Sequence, residues 1–218
     1  MNKKGFIFDL DGVIVDTAKY HFLAWKKLAK SVGITFSEAQ NEQLKGVSRV
    51  RSLEKILTWG KKEISEDQFM ELMARKNNDY LDYISNMDEG EILPDVPRIL
   101  NLLKEMDQPF SLGSASKNAR AILKEVELLN DFKIIVDGTN VVKAKPDPAV
   151  FLKAARMMKI DPDKCIVFED AVAGIQAANA AGMLSIGIGS PEILHEANCV
   201  FNDFTEISDS FIIKLINE

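Results

Sequence analysis

The sequence predicts an α/β fold, a doubly wound parallel sheet with an inserted all-helical cap, and three observations lead there. Gly5-Phe6-Ile7-Phe8 is an apolar run without helical period, the pattern of a strand buried on both faces. From residue 95 onward helical and strand-like stretches alternate, the rhythm of parallel strands covered by helices. Between 17 and 88 no strand pattern occurs. The first strand must therefore pair with later ones across a helical insertion, because alone it would leave both its edges open. The expected division is a discontinuous core, 1–16 and 89–218, and a helical cap, 17–88, with hinges near 14–17 and 88–93.

The elements follow in order. After the strand at 5–9, Thr17 is placed to cap a helix through Ser31, with Phe22, Trp25, Leu28, Ala29 and Val32 on one face and Gly33 as its stop. Helices are expected at 38–45, 49–59 and 65–86, the last opened by Ser65 with Gln68 in its first turn. The polar stretch 88–91 leads through Leu93-Pro94 into the alternating part. There, helices at 95–106, 117–129, 148–159 and 171–181 alternate with strands at 110–114, 133–137, 164–168 and 184–187. A short strand near 199–202 and a helix at 205–216 complete the chain, and Asp147 is placed to cap a helix whose first residue is Pro148.

Composition narrows the class. The chain has 218 residues, ample for a substantial core, and a net charge of −6 with no basic stretch dense enough to follow a nucleic-acid backbone. It has no apolar run long enough to span a bilayer and no h-region at its start, so a cytoplasmic protein without membrane association is expected. Cys165 and Cys199 lack metal-ligand spacing and read as packed thiols, and His195 reads as a surface residue.

Ligands of open parallel sheets bind beyond the carboxyl ends of the strands. Those ends deliver Asp9 and Asp11 from the first strand, Ser114 from the second, and Glu169 and Asp170 from the fourth; Lys145 precedes a helix on the same edge. Each has an ordinary explanation. Asp-Gly is common turn chemistry, Ser114-Ala115-Ser116 or Glu169-Asp170 can cap helices, and a lysine before a helix is usually solvated. Their joint placement is what points to chemistry. Buried carboxylates repel one another and need a compensating cation. Four acidic groups, a hydroxyl and one ammonium at one edge suit Mg²⁺ and a phosphoryl group in transit. Asp9 and Asp170 are the expected ligands, with the Asp11 carbonyl and Glu169 as further donors.

The Asp9-Leu10-Asp11-Gly12 motif, Ser114, Lys145 and Glu169-Asp170 resemble, in order and setting, the haloacid dehalogenase-like superfamily, over essentially the whole chain. The resemblance implies a Rossmann-like core, Mg²⁺ as cofactor, Asp9 as a nucleophile that becomes an aspartyl phosphate, and Asp11 as general acid/base that enters protonated. The cap narrows it further. The stretches 20–25, 44–49 and 74–77, with 114–118 in the core, are similar to sugar-phosphate mutases of that superfamily. Those enzymes interconvert β-glucose 1-phosphate and glucose 6-phosphate through a bisphosphate. Such an intermediate needs a second phosphate site. Arg49 offers a planar fork, and Ser116, Lys117 and Asn118 a helix start. His21 and Lys76 are expected to reach Asp11 or the sugar. Gly46, Val47, Ser48 and Ser52 are expected to line the pocket, Ala115 to lie in the same loop as Ser116, and Trp25 to form a wall. Ala171 and Arg51 depart from the usual family pattern. A monomer acting on a small phosphorylated sugar is expected, with a phosphatase and a metabolite-binding regulator as the alternatives.

Overall fold

The computed structural model describes residues 3–217. In chain order the elements are β1 (Gly5–Phe8), α1 (Ala18–Ser31), α2 (Glu38–Glu42), α3 (Arg49–Trp59), α4 (Glu66–Ile84), α5 (Val96–Glu105) and β2 (Phe110–Gly113). There follow α6 (Ala119–Glu125), β3 (Ile135–Val136), α7 (Ala149–Met158), β4 (Cys165–Glu169), α8 (Val172–Ala180), β5 (Leu184–Ile188), β6 (Cys199–Phe201) and α9 (Asp209–Asn217). The six strands form one sheet in the order β3-β2-β1-β4-β5-β6, every neighbouring pair parallel. Phe8 is in register with Leu112 on one side and Phe168 on the other.

Parallel pairing puts all carboxyl ends on one edge, and both sheet faces are dry. One face packs Phe6, Phe8 and Phe168 under α5, α6 and α9; the other packs Ile7 and Val167 under α7 and α8. Phe8 and Phe168 stack at 4.8 Å between ring centroids. Emptying such a fully buried aromatic site costs about 3–5 kcal/mol. A third apolar cluster, built on Trp25, Leu28, Leu53 and Ile56, lies wholly within residues 18–84. Backbone pairing joins the two chain segments entering and leaving those helices. Val15 bridges Ile92 in antiparallel fashion, Asp16 N–H donates to the Glu91 carbonyl at 3.0 Å, and Leu93 N–H donates to the Ile14 carbonyl at 3.0 Å.

The capping box of Ser65 and Gln68 forms as the sequence predicts. Other ends differ. Thr17 occupies the N-cap of α1 but its side chain makes no cap bond, being drawn to Asp11 instead. Helix α6 is shorter than expected at both ends: Ser116 Oγ accepts from the Asn118 N–H and holds its start as a turn, and Glu127, at φ +60°, ends it early. Pro148 is the cap of α7 rather than its first residue, while Asp147 accepts from the Ala149 N–H at 3.0 Å. The last expected helix splits at Ile207 into a short 3-10 turn and α9. Cys165 is buried, Cys199 half-buried, both thiols free, and His195 is exposed. No described helix is long and apolar enough to cross a membrane.

Candidate active site

The site begins where β1 ends. Asp9 N–H still donates to the Phe168 carbonyl at 3.0 Å, so the nucleophile candidate is held by the ladder itself. The chain then turns at Gly12, whose φ of +80° suits a residue without a β-carbon and whose α-carbon faces the Asp170 carboxylate too closely to carry one. That turn carries Asp11 back beside Asp9. Lys145, 6% exposed and joined to Pro146 by a cis peptide bond, sends its ammonium to Asp9 Oδ1 at 2.6 Å and to Glu169 Oε1. The other Glu169 oxygen accepts from the Ala171 N–H at 2.9 Å, and the space for its carboxylate exists because Gly174 has no side chain. Glu169 is therefore spoken for on both oxygens. Among the described residues Asp170 has no such donors; Lys45, at 4.0 Å, is the cation that pairs with it.

The electrostatics follow from this arrangement. Burial pushes the Asp9 carboxyl up to about 7, against the pull of Lys145, with Glu169 and Asp11 adding to the rise. Burial, then Glu169 and Asp9, raise Asp170 well above the carboxylate range. Burial works against the Lys145 charge, but Asp9 and Glu169 outweigh it and hold the ammonium firmly protonated. One ammonium does not balance these carboxylates. Oxygens of Asp9, Glu169 and Asp170 lie within 4.8 Å of one another, a hard-oxygen donor set that suits a divalent cation such as Mg²⁺. Asp11 differs. Burial raises it too, but hydrogen bonding and charge from His21, with the Thr17 hydroxyl, bring its carboxyl below the ordinary value. In direction Asp11 is thus the opposite of its neighbours Asp9 and Asp170.

Above these residues lies a cavity of about 1170 Å³, walled by the sheet edge below and by α1, α3 and α4 above. Asp9, Asp11, Lys145 and Asp170 form its floor, and Ala115, Ser116, Lys117 and Asn118 its flank. From the helical side come His21, Trp25, Gly46, Val47, Ser48, Arg49, Ser52 and Lys76. Ser114 and Glu169 are not on its surface; both are fully buried just beneath, Ser114 accepting from the Ser116 N–H at 3.0 Å. Gly46, at φ +68°, approaches the Ala171 methyl so closely that an added β-carbon would lie 2.9 Å from it. That contact gives the small Ala171 a physical reason. Arg51 lies at the cavity's edge, exposed, and pairs with Glu54 at 2.9 Å.

Lys76 is 2% exposed, yet among the described residues its ammonium pairs with no carboxylate; it meets His21 Nδ1 at 3.0 Å and lies over the rings of Trp25 and Tyr80. Burial, then the Arg49 charge, push it down to about 7. His21 is lowered by burial and by Lys76, while its Nε2 stands 3.7 Å from Asp11 Oδ1. Three participants were given no role by the sequence reading: Thr17 read as a helix cap, while Lys45 and Asn77, whose side-chain carbonyl accepts from Asn118 Nδ2 at 3.0 Å, stood only inside the stretches 44–49 and 74–77.

A family model for haloacid dehalogenase-like hydrolases matches residues 3–182. The β-phosphoglucomutase of Bacillus subtilis (strain 168) is 44% identical over 217 residues, which cover 99% of this chain and 94% of the relative. The fructose-1-phosphate phosphatase of Escherichia coli (strain K12) is 31% identical, covering 84% and 95%. Among solved structures, a β-phosphoglucomutase from Clostridium difficile is similar with a TM-score of 0.94 at 40% identity, covering 99% of this chain and 97% of that one.

Proposed function

The chain belongs to the haloacid dehalogenase-like hydrolase family, and from that premise we propose that it is a phosphomutase interconverting β-glucose 1-phosphate and glucose 6-phosphate. The observation that carries this reading is one cavity with two poles. Lys145 and the carboxylate cluster lie on the floor, and Arg49 faces them from α3, with Lys117 and Asn118 at the flank. A bisphosphorylated sugar has a phosphate for each pole, and turning it round exchanges them.

Asp9 and Asp170, with the Asp11 carbonyl, would hold Mg²⁺, and Glu169 borders the same donor set. When bound, Mg²⁺ offsets the charge of the transferring phosphoryl group and fixes its orientation. Asp9 supplies the attacking oxygen; the bond to phosphorus forms as the bond from phosphorus to the sugar oxygen breaks. Lys145 lies against Asp9 and steadies the charge that builds on the equatorial oxygens, helped by the Ser114 loop. Asp11, when protonated, gives its proton to the departing sugar oxygen. In the second half the ionised Asp11 takes a proton from the other sugar hydroxyl, which attacks phosphorus and releases Asp9. His21 and Lys76 face Asp11 from the helical side, and residues 17–88 act as a cap that swings down and excludes water. Exclusion decides the product, because water reaching the aspartyl phosphate would make the enzyme a phosphatase. The acceptor chemistry matches a single phosphorylated sugar bound by a single chain.

The test supplies Mg²⁺, β-glucose 1-phosphate and a trace of β-glucose 1,6-bisphosphate and follows glucose 6-phosphate and inorganic phosphate together. Glucose 6-phosphate in large excess is expected. Inorganic phosphate as the main product would reverse the assignment in favour of the phosphatase.

A further inference from the structure

Asn77 is a polar side chain beside the site that the mechanism leaves without a role. It lies in the interior of α4, one residue beyond Lys76, and is half-buried. Asparagine is a poor helix former, because its amide competes for backbone bonds. Here its Oδ1 instead accepts from Asn118 Nδ2 at 3.0 Å, across to the sheet edge. Asn118 is out of its ordinary place too. It stands at the N-cap of α6, where asparagine is favoured for its side chain, yet it makes no side-chain cap bond there. Each asparagine thus gives up its local bonding, and the two meet each other.

The surroundings of Asn118 give that bond a purpose. The sheet fixes its backbone: the Asn118 N–H donates to Ser116 Oγ at 3.2 Å, the Ser116 N–H to Ser114 Oγ at 3.0 Å, and the Ser114 N–H to the Val136 carbonyl at 2.9 Å. Those bonds leave its side chain free to rotate. An asparagine amide turns easily about its last torsion and can offer either its oxygen or its nitrogen. Asn118 lines the cavity with Ser116 and Lys117, and Asn77 stands behind it, off the cavity surface. A phosphate dianion only accepts hydrogen bonds, so a carbonyl oxygen turned toward it would repel it. By accepting one amide N–H, Asn77 holds the nitrogen in place and leaves the second N–H to donate. Being neutral, Asn77 adds no negative charge beside the anion.

We infer that Asn77 is a positioning residue for the distal phosphate, acting through Asn118. The inference rests on the proposed reading of Asn118 as a donor to that phosphate. The bond also joins two walls of the cavity. Arg49 lines it from α3, which packs on α4, and Asn118 lines it from the loop after β2. Two donors to one phosphate must keep a set separation. The Asn77–Asn118 bond ties the helices that carry the first donor to the loop that carries the second.

Asn77→Leu removes the amide and keeps the branched shape of the side chain in a better helix former. The phosphate of β-glucose 1-phosphate occupies the distal pole while its 6-hydroxyl takes the phosphoryl group. KM for that sugar should rise about threefold to tenfold, the worth of one neutral hydrogen bond, with kcat unchanged within about twofold. Phosphorylation of Asp9 by acetyl phosphate, which has no distal phosphate, should stay within about twofold of wild type. A merely structural bond predicts a shifted melting temperature with KM unchanged. Asn77→Leu added to Asn118→Ala should cause no further rise in KM, since the residue it acts through is already gone. Unchanged KM in Asn77→Leu, an equal loss in the acetyl phosphate reaction, or additive rises in the double variant overturns the inference. If Asn77→Leu does not fold, Asn77→Ala is held to the same outcomes. An Asn118→Ala protein with unchanged KM is a separate outcome that removes the premise instead.

Discussion

The Lys145 ammonium lies 2.6 Å from Asp9 Oδ1 and also bonds Glu169, a three-membered ion cluster that is almost wholly buried. Removing one partner from such a cluster leaves charges that neither water nor protein satisfies. Lys145→Met should therefore destabilise the fold by about 3–5 kcal/mol in denaturant unfolding at neutral pH. Turnover should disappear as well. A variant as stable as wild type would mean that Asp9 and Glu169 share a proton there, not a cation.

Asp9→Asn keeps the shape of the side chain and removes its nucleophilicity. Wild-type protein quenched in acid during turnover should show the mass increment of a phosphoryl group, and Asp9→Asn should show neither increment nor turnover. Activity surviving in that variant would end the covalent route.

Arg49 faces the carboxylate cluster from the cap side of the cavity. Arg49→Ala should raise KM for sugar phosphates by about tenfold or more, the loss of a charge-assisted bidentate pair. Phosphorylation of Asp9 by acetyl phosphate, which has no distal phosphate, should change far less. Equal losses in both reactions would place Arg49 at the transferring group.

Asp170 is destabilised as a charge by burial and by its acidic neighbours. Mg²⁺ should raise the melting temperature of the wild type in proportion to the logarithm of its concentration above the dissociation constant. Asp170→Asn should melt higher than wild type in chelator and gain little from Mg²⁺. An identical Mg²⁺ response in both proteins would remove Asp170 from the ligand set.

Lys76, pushed down to about 7, sets a pH dependence whose sign follows from linkage. Between about 7 and the ordinary lysine value near 10.4, the unfolded chain holds a proton that the folded chain lacks, so stability rises with pH across that window. Below about 7 the folded protein carries the full penalty. Lys76→Met should thus be more stable than wild type at pH 6, and the advantage should shrink toward pH 10. A constant difference across that range would show that Lys76 keeps its ordinary affinity for protons.

Much of the fold was legible because both its signals are local. Alternating helical and strand-like stretches mark the doubly wound part, and the sheet order puts β1 between β2 and β4, where a strand that reads Gly5-Phe6-Ile7-Phe8 has to be. The floor of the site was legible for the same reason, since parallel strands deliver their next residues to one edge. What stayed hidden depends on neighbours far away in sequence. Thr17 has the residue type of a helix cap, and only the returning turn at Gly12 offers it Asp11 instead. Glu169 reads as an acidic group at the strand end, and only the fold shows that Lys145 and the Ala171 N–H also meet its two oxygens. Lys45 and Asn77 have partners, Asp170 and Asn118, more than forty residues away on the core.

Two crossings of backbone, stitched by Val15 and Ile92, connect the helical unit to the sheet. A lone tether would let that unit wander through a cone of orientations. Two paired strands of chain instead fix both ends of the helical unit side by side at the sheet edge, so that the wall carrying Arg49 is registered over the floor carrying Asp9.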